Sequence, residues 1–259
     1  MLMRLTMPDR KPRHGIELLC EYAFRPAAHL LARALAPLRV PPPAVVLAGT
    51  CAGAAAAVAV GRDHLLVAAL LLQLKTLLDN ADGQLARLTG RVSAFGRYLD
   101  SESDLVVNAA LFAALGLRIG PWTALAGFVA LTLVLSVNFN VERLDRIARG
   151  GGVAPAPQQG GRVTRALARA YEAFYGPQDR LVEAFERRRG RDWHEPVGLH
   201  VLANLGLSTQ LAALGLCLAL GRPAAYVYTV LGCVAIVAVL AVRRELRVRG
   251  AVRPIPAVD

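Results

Sequence analysis

Cysteine, lysine and aromatic residues are scarce in this chain, and each scarcity removes a class of function. The four cysteines (Cys20, Cys51, Cys217 and Cys233) are scattered and show no metal-ligand spacing, so neither a thiolate metal site nor a disulfide framework is indicated. They read as core residues, three of them inside apolar runs. Five histidines (His14, His29, His64, His194 and His200) share no ligand spacing either, and only His200, one turn inside a long apolar run, stands apart. Of the 30 basic residues only Lys11 and Lys75 are lysines, and with 19 acids the formal net charge is +11. The first 43 residues are too charged and too interrupted for a cleavable signal peptide. No internal repeat is evident.

What the chain has in excess is apolar length. Hydrophobic residues make up 55% of it and the mean hydropathy is +0.42, which argues against an ordinary soluble domain. Six apolar stretches stand out: Ala44–Val60, His64–Leu78, Leu105–Leu117, Trp122–Phe139, Val197–Leu220 and Ala224–Val242. A spanning helix needs about 20 mostly apolar residues. The second and third stretches, at 15 and 13 residues, fall short, and each ends beside a group of aspartates. To span, the second must continue through Asp79, Asp82 and Arg87, and the third must begin upstream of Asp100 and Asp104. A charge facing lipid there would be costly, so the acids must face a polar cavity within the bundle. The expected fold is an all-α polytopic membrane protein of six transmembrane helices with an N-terminal amphipathic interfacial helix.

The basic residues give the orientation. Seven precede Pro43, four lie between Lys75 and Arg97, eleven in the loop 140–196 and five in the tail, against single residues at Arg62, Arg118 and Arg222 in the alternate connections. This alternation places both termini, the aspartates and the long loop in the cytoplasm. The basic balance is therefore a topology signal and no argument for nucleic acid; it also suits anionic headgroups and substrates. The organisation expected is a cytoplasmic segment 1–43, a six-helix transmembrane catalytic domain 44–243 that includes the loop 140–196, and a cytoplasmic tail 244–259.

Within 1–43, residues 27–38 carry Leu30, Leu31, Ala34, Leu35 and Leu38 against Arg33 and Arg39, a helix pattern suited to the membrane face or to packing on the loop. Pro41-Pro42-Pro43 stops it and launches the first span. In the long loop, Gly150–Gly161 reads as a flexible linker. Helices are expected over Val163–Tyr175 and Gln178–Arg189, broken by Gly176-Pro177. The second of these has Leu181, Val182 and Phe185 on one side, an interfacial pattern. The loop carries no second catalytic motif.

The chemistry is concentrated in one run, Asp79-x2-Asp82-Gly83-x2-Ala86-Arg87-x8-Gly96-x3-Asp100-x3-Asp104. Helical spacing puts Asp79, Asp82, Gly83 and Ala86 on one stripe and Gly96, Asp100 and Asp104 on another. Two such stripes facing each other make a four-carboxylate site, the oxygen-rich kind that hard divalent ions share with substrate phosphates. Ion pairing with Arg87, Arg91 and Arg97 would leave the four acids in excess of three bases. An ion or proton relay is the stronger rival, yet the acids cluster at one membrane edge and no other span carries an acid to continue a path.

The same run, DNADGQLARLTGRVSAFGRYLDSESD, resembles the signature of the CDP-alcohol phosphatidyltransferase family at all eight fixed positions. The resemblance implies transfer of a substituted phosphoryl group, with a phosphatidyl group from CDP-diacylglycerol foremost, from a CDP-alcohol to an acceptor alcohol with release of CMP, in phospholipid biosynthesis. It implies one or two Mg²⁺ or Mn²⁺ ions on Asp79, Asp82 and Asp100, with Asp104 a further ligand, the general base, or both. Gly83 and Ala86 would be kept small for the nucleotide, and Arg87 would offer a cationic fork to phosphate. Gly96 would serve ligand access or helix packing. Arg91 and Arg97 would either bind a phosphate on the acceptor or face headgroups. Homodimerisation is common among relatives. Where relatives often carry a Thr-Pro-Asn-like turn, this chain has Pro41-Pro42-Pro43, without its polar side chains. The remaining alternatives are an ion-coupled transporter, a ligand-sensing scaffold and a relative using a soluble CDP-alcohol donor.

Overall fold

A computed structural model describes residues 15–149, 161–189 and 196–251. The ten α-helices among these residues are α1 (Arg25–Leu35), α2 (Pro42–Gly61), α3 (Leu65–Leu88), α4 (Ala94–Ile119), α5 (Pro121–Ala148), α6 (Arg162–Phe174), α7 (Gly176–Arg189), α8 (Pro196–Ala203), α9 (Leu207–Ala219) and α10 (Pro223–Ala251). A π-helical turn, Cys20–Phe24, precedes α1, and no strand occurs among the described residues. The expected linker Gly150–Gly161 lies, except for its last residue, outside the described residues.

Helix boundaries follow local chemistry. Pro41 is extended and Pro42 opens α2, where its missing N–H is no loss. Ser93 caps α4, its Oγ accepting from Gly96 N at 3.1 Å. Between α3 and α4 the chain reverses through Gly90 at φ +67°, a left-handed position that glycine takes without strain. The short second and third apolar stretches are continued as full helices: α3 carries Asp79, Asp82 and Arg87, and α4 starts six residues before Asp100. At 1.5 Å per residue they are about 36 and 39 Å long, enough to cross a bilayer.

Among the described residues three helices, α2, α5 and α10, are long and apolar enough to cross a membrane, and a fourth crossing is made if the bent pair α8–α9 counts as one. Of the six expected spans, the second and third, α3 and α4, are the ones not among these, because they carry the charged motif. Large apolar side chains lie exposed along the outer faces, among them Leu47, Leu70, Val106, Leu125, Leu133 and Val239. Such a surface belongs against lipid, and the molecule is membrane-embedded.

The fifth apolar stretch is not one straight helix. It bends by 51° between α8 and α9. Asn204 explains the break: its Nδ2 donates to Ile16 O at 2.7 Å and His200 O at 2.8 Å, while its Oδ1 accepts from Leu18 N at 2.9 Å. Glu17 adds a second stitch, its Oε1 accepting from Thr209 N and Oγ1 at 3.2 and 3.1 Å. The segment before α1 is thus tied into the gap. Helix α1 lays Ala28 and Ala32 against Ala81 and Leu85 of α3, while Leu30 and Leu38 stay exposed.

Close packing of α2 on α3 and α4 sets the inner geometry. A Cβ placed on Gly53 would lie 2.5 Å from Val107 Cγ1 and 3.0 Å from Lys75 Cδ; one on Gly49 would lie 2.8 Å from Asp79 Oδ1. This Gly49-x3-Gly53 stripe lets the backbones approach as small residues do between membrane helices. Gly53→Leu is expected to force α2 and α4 apart and to cost about 3 kcal/mol or more, read as a lower thermal unfolding midpoint in detergent. A midpoint equal to the parent's would refute the close-packing account. Below this stripe the core runs through Leu72, Leu111, Leu115, Leu214 and Tyr226.

Candidate active site

The aspartates sit where α3 and α4 face each other near their shared turn. Carboxylate oxygens of Asp79, Asp100 and Asp104 all lie within 4.8 Å of one another. Asp82, one turn further along α3, is outside that trio; it is buried, and its Oδ2 has no hydrogen-bond partner among the described residues. A trio of converging oxygens and a buried orphan carboxylate oxygen fit a hard divalent cation, which takes oxygen ligands and satisfies such an atom.

Lys75 is the feature that sequence reasoning passed over. It is 1% exposed, its Nζ donates to Asp104 Oδ1 at 2.6 Å, and it also pairs with Asp79 Oδ2. Burial of an ammonium is tolerated only with such partners. Two signals were available: Lys75 is one of two lysines, and it stands one helical turn before Asp79.

Beside the trio opens a cavity of about 300 Å³, at the small end of ligand-site volumes. Asp79, Asp100, Asp104 and Asn108 line one side. Ser136, Asn138 and Glu142 of α5, Tyr171 of α6, Tyr175, Asp179 of α7 and Gly206–Ser208 line the others, with Glu17 and Cys20. Helices α6 and α7 are held over it. Tyr171 packs edge-on against Tyr98 of α4 with ring centroids 5.5 Å apart, and Tyr175 lies 5.0 Å from Tyr171. Asp179 accepts from Asn140 Nδ2 at 2.7 Å and from Tyr171 Oη at 3.3 Å, and Arg143 pairs with Glu183. Burial first, and then Asp179, raises the Tyr171 hydroxyl above its usual range; burial and then Asp104 and Glu102 do the same for Tyr175. Both phenols therefore stay protonated at neutral pH and are hydrogen-bond donors. The long loop thus contributes to the cavity, which its lack of a catalytic motif did not foretell.

The remaining motif positions lie outside this cavity. The nearest atoms to a Cβ on Gly83 belong to the Arg87 guanidinium, at 3.3 Å, so the space beside this glycine is bounded by a flexible side chain. Ala86 is half-buried and Arg87 exposed. At Gly96 a Cβ would meet Ser93 Oγ at 3.4 Å and no other atom within 4 Å, so no close helix packing requires this glycine. Arg97 stacks on Tyr98, 4.4 Å from the ring centroid, and Arg91 reaches Arg39 O at 3.5 Å. His200 does not line the cavity; its carbonyl accepts from Asn204.

An oxygen-rich carboxylate trio thus lies between two helices of a membrane-embedded bundle, with a small polar cavity beside it. The sequence pattern of CDP-alcohol phosphatidyltransferases matches residues 39–170, just over half the chain, and the protein belongs to that family. That family is one of CDP-alcohol phosphotransferases and is generally dependent on divalent metal. Among curated relatives, the chain is 37% identical over 76 residues to a bifunctional IPC transferase and DIPP synthase of Aquifex aeolicus strain VF5, covering 29% of this chain and 18% of that one. It is 35% identical over 91 residues to an uncharacterized protein of the same organism, covering 35% of this chain and 46% of that one. The chain thus spans less than half the length of either relative.

Proposed function

We propose that the protein transfers a phosphatidyl group from CDP-diacylglycerol to an acceptor alcohol and releases CMP, as a step of phospholipid biosynthesis. The observation that carries this reading is the convergence of Asp79, Asp100 and Asp104 beside a cavity of about 300 Å³. The motif lies at one end of helices that bury their other ends in apolar packing, which suits a donor with lipid tails and a polar nucleotide. In this reading α3 and α4 also span, α8–α9 count as one crossing, and six spans result. The termini, the motif and the loop 140–196 face the cytoplasm of a cell membrane, with α1 lying along the interface. Residues 1–43, 44–243 and 244–259 then act as anchor segment, catalytic domain and tail.

Asp79, Asp82, Asp100 and Asp104 would hold Mg²⁺ or Mn²⁺, which when bound supplies positive charge to the pyrophosphate and its leaving oxygen. Gly83 and Ala86 leave room for the nucleotide along α3. Arg87, exposed beside Gly83, offers its guanidinium to a donor phosphate. Gly96, where a Cβ would meet only Ser93 Oγ, serves ligand access. The acceptor hydroxyl oxygen bonds to the phosphorus that carries the lipid alcohol. The bond from that phosphorus to the bridging oxygen breaks, and CMP leaves with the electron pair. The hydroxyl proton passes to Asp104, which lines the cavity and so stands on the acceptor side. A second copy of the chain joins through membrane helices.

The test is CMP release by purified protein from CDP-diacylglycerol with a panel of alcohols, with Mg²⁺, with Mn²⁺ and with chelator. Release that requires both metal and alcohol is expected. Turnover confined to soluble CDP-alcohols would move the donor class. No release from any donor would leave solute flux across vesicles, as an ion-coupled transporter shows, as the assay to run.

A further inference from the structure

The aspartate centre contains a cation of its own. We propose that the four motif aspartates hold a single divalent ion, and that the Lys75 ammonium stands in the place a second ion would take. The inference rests on the metal-dependent phosphotransfer reading above and sets its requirement at one ion per chain.

The position of the ammonium carries the argument. Lys75 Nζ donates to Asp104 Oδ1 at 2.6 Å and also pairs with Asp79 Oδ2. It therefore ties α3 to α4 across the carboxylate trio, whose oxygens lie within 4.8 Å of one another. In two-metal sites the ions lie about 3.5–4 Å apart, so both would have to draw on the carboxylates gathered here. A second ion would need the oxygens of Asp79 and Asp104 that Lys75 holds, and the ammonium would repel it at close range in a poorly screened interior. The other two motif carboxylates have no such cation. Asp82 and Asp100 make no ion pair among the described residues, and Asp82 Oδ2 is buried without a hydrogen-bond partner among them. These two are the groups that call for a divalent ion, with Asp79 and Asp104 adding the oxygens that Lys75 leaves.

The lysine has no alternative place to go. It is 1% exposed, and its stem runs along α2, where a Cβ on Gly53 would lie 3.0 Å from Lys75 Cδ and 2.5 Å from Val107 Cγ1. Turning the ammonium away from the carboxylates would leave it buried among apolar groups without a partner, which costs several kcal/mol by general experience of buried charges. Lys75 is thus a positioning residue and a fixed counter-charge. Unlike a second metal ion, it is not removed by chelator.

The experiment titrates Mn²⁺ into the purified whole chain in detergent, with and without CMP, and counts bound ions by electron paramagnetic resonance. The parent is expected to bind about one ion per chain under both conditions, with the spectrum of an isolated ion. Lys75→Met is expected to bind about two, the second close enough to the first to couple with it and broaden the signal. A purely structural lysine would move stability but not this count. Two coupled ions in the parent, with CMP or without, overturn the inference even where Lys75→Met fails to fold. A count of one in both proteins also overturns it, because Lys75 then fills no metal place. No bound Mn²⁺ in either protein overturns it as well. The phosphotransfer reading is judged separately, by CMP release: release that persists with a wrong count leaves that reading standing, and absence of release with every donor removes it.

Discussion

Asp104→Asn is expected to lower the rate of CMP release by about 10²–10⁴-fold while the protein still folds. The amide keeps the shape of the side chain but loses the charge, so it can neither take the acceptor's proton nor serve as a strong metal ligand. Asp104 occupies the position where both losses matter. It converges with Asp79 and Asp100 within 4.8 Å, pairs with Lys75 at 2.6 Å, and lines the cavity. Lys75 keeps its other partner, Asp79, so the buried ammonium is not stranded in the variant. Thermal unfolding with and without Mn²⁺ separates the two roles. A ligand loss shrinks the stabilisation by metal, whereas loss of a base alone leaves it intact. Asp63→Asn is the control, because Asp63 is 72% exposed and pairs with Arg118 at 2.5 Å in the α2–α3 turn, away from the trio. Equal rates for Asp104→Asn and the parent would remove Asp104 from the chemistry.

Lys75→Met is expected to destabilise the metal-free protein by about 3–5 kcal/mol, the usual cost of removing one partner from a buried ion pair. Methionine fills most of the space beside Gly53, so the loss is electrostatic rather than a cavity. Asp79 and Asp104 are then left facing each other without their internal cation. A divalent ion can take over that role, so Mn²⁺ should raise the unfolding midpoint of Lys75→Met by more than it raises that of the parent. The same measurement reports on the site without reference to turnover. A variant that is destabilised equally with and without Mn²⁺ would show that Lys75 acts through packing alone.

Parts of this architecture were legible from residue order. The shortfall of the second and third apolar stretches required helices that continue through the aspartates, and α3 and α4 do so. Pro41-Pro42-Pro43 marked the start of α2, and Gly176-Pro177 marked the break between α6 and α7. These are local effects, in which a residue type restricts its own backbone or a period of 3.6 assigns a face. The bend at Asn204 was not legible, because an asparagine in an apolar run breaks a helix only when a distant backbone, here Ile16 and Leu18, arrives to take its amide. The Gly49-x3-Gly53 stripe could have been noticed, since small residues at that spacing announce close helix contact, but its partners Val107 and Asp79 could not.

The sequence by itself determined the family, the helical class, and which acids share a helix face, because these depend on residue identity and spacing along one helix. Only the tertiary structure decided which groups meet. Lys75 and Asp104 are 29 residues apart, and Asp179 reaches the cavity from a separate loop helix. It also left Asp82 outside the trio and Gly96 without close packing. The physical reason is that charge complementarity and cavity lining are sums over helices packed from different parts of the chain, and no single period in the sequence records them.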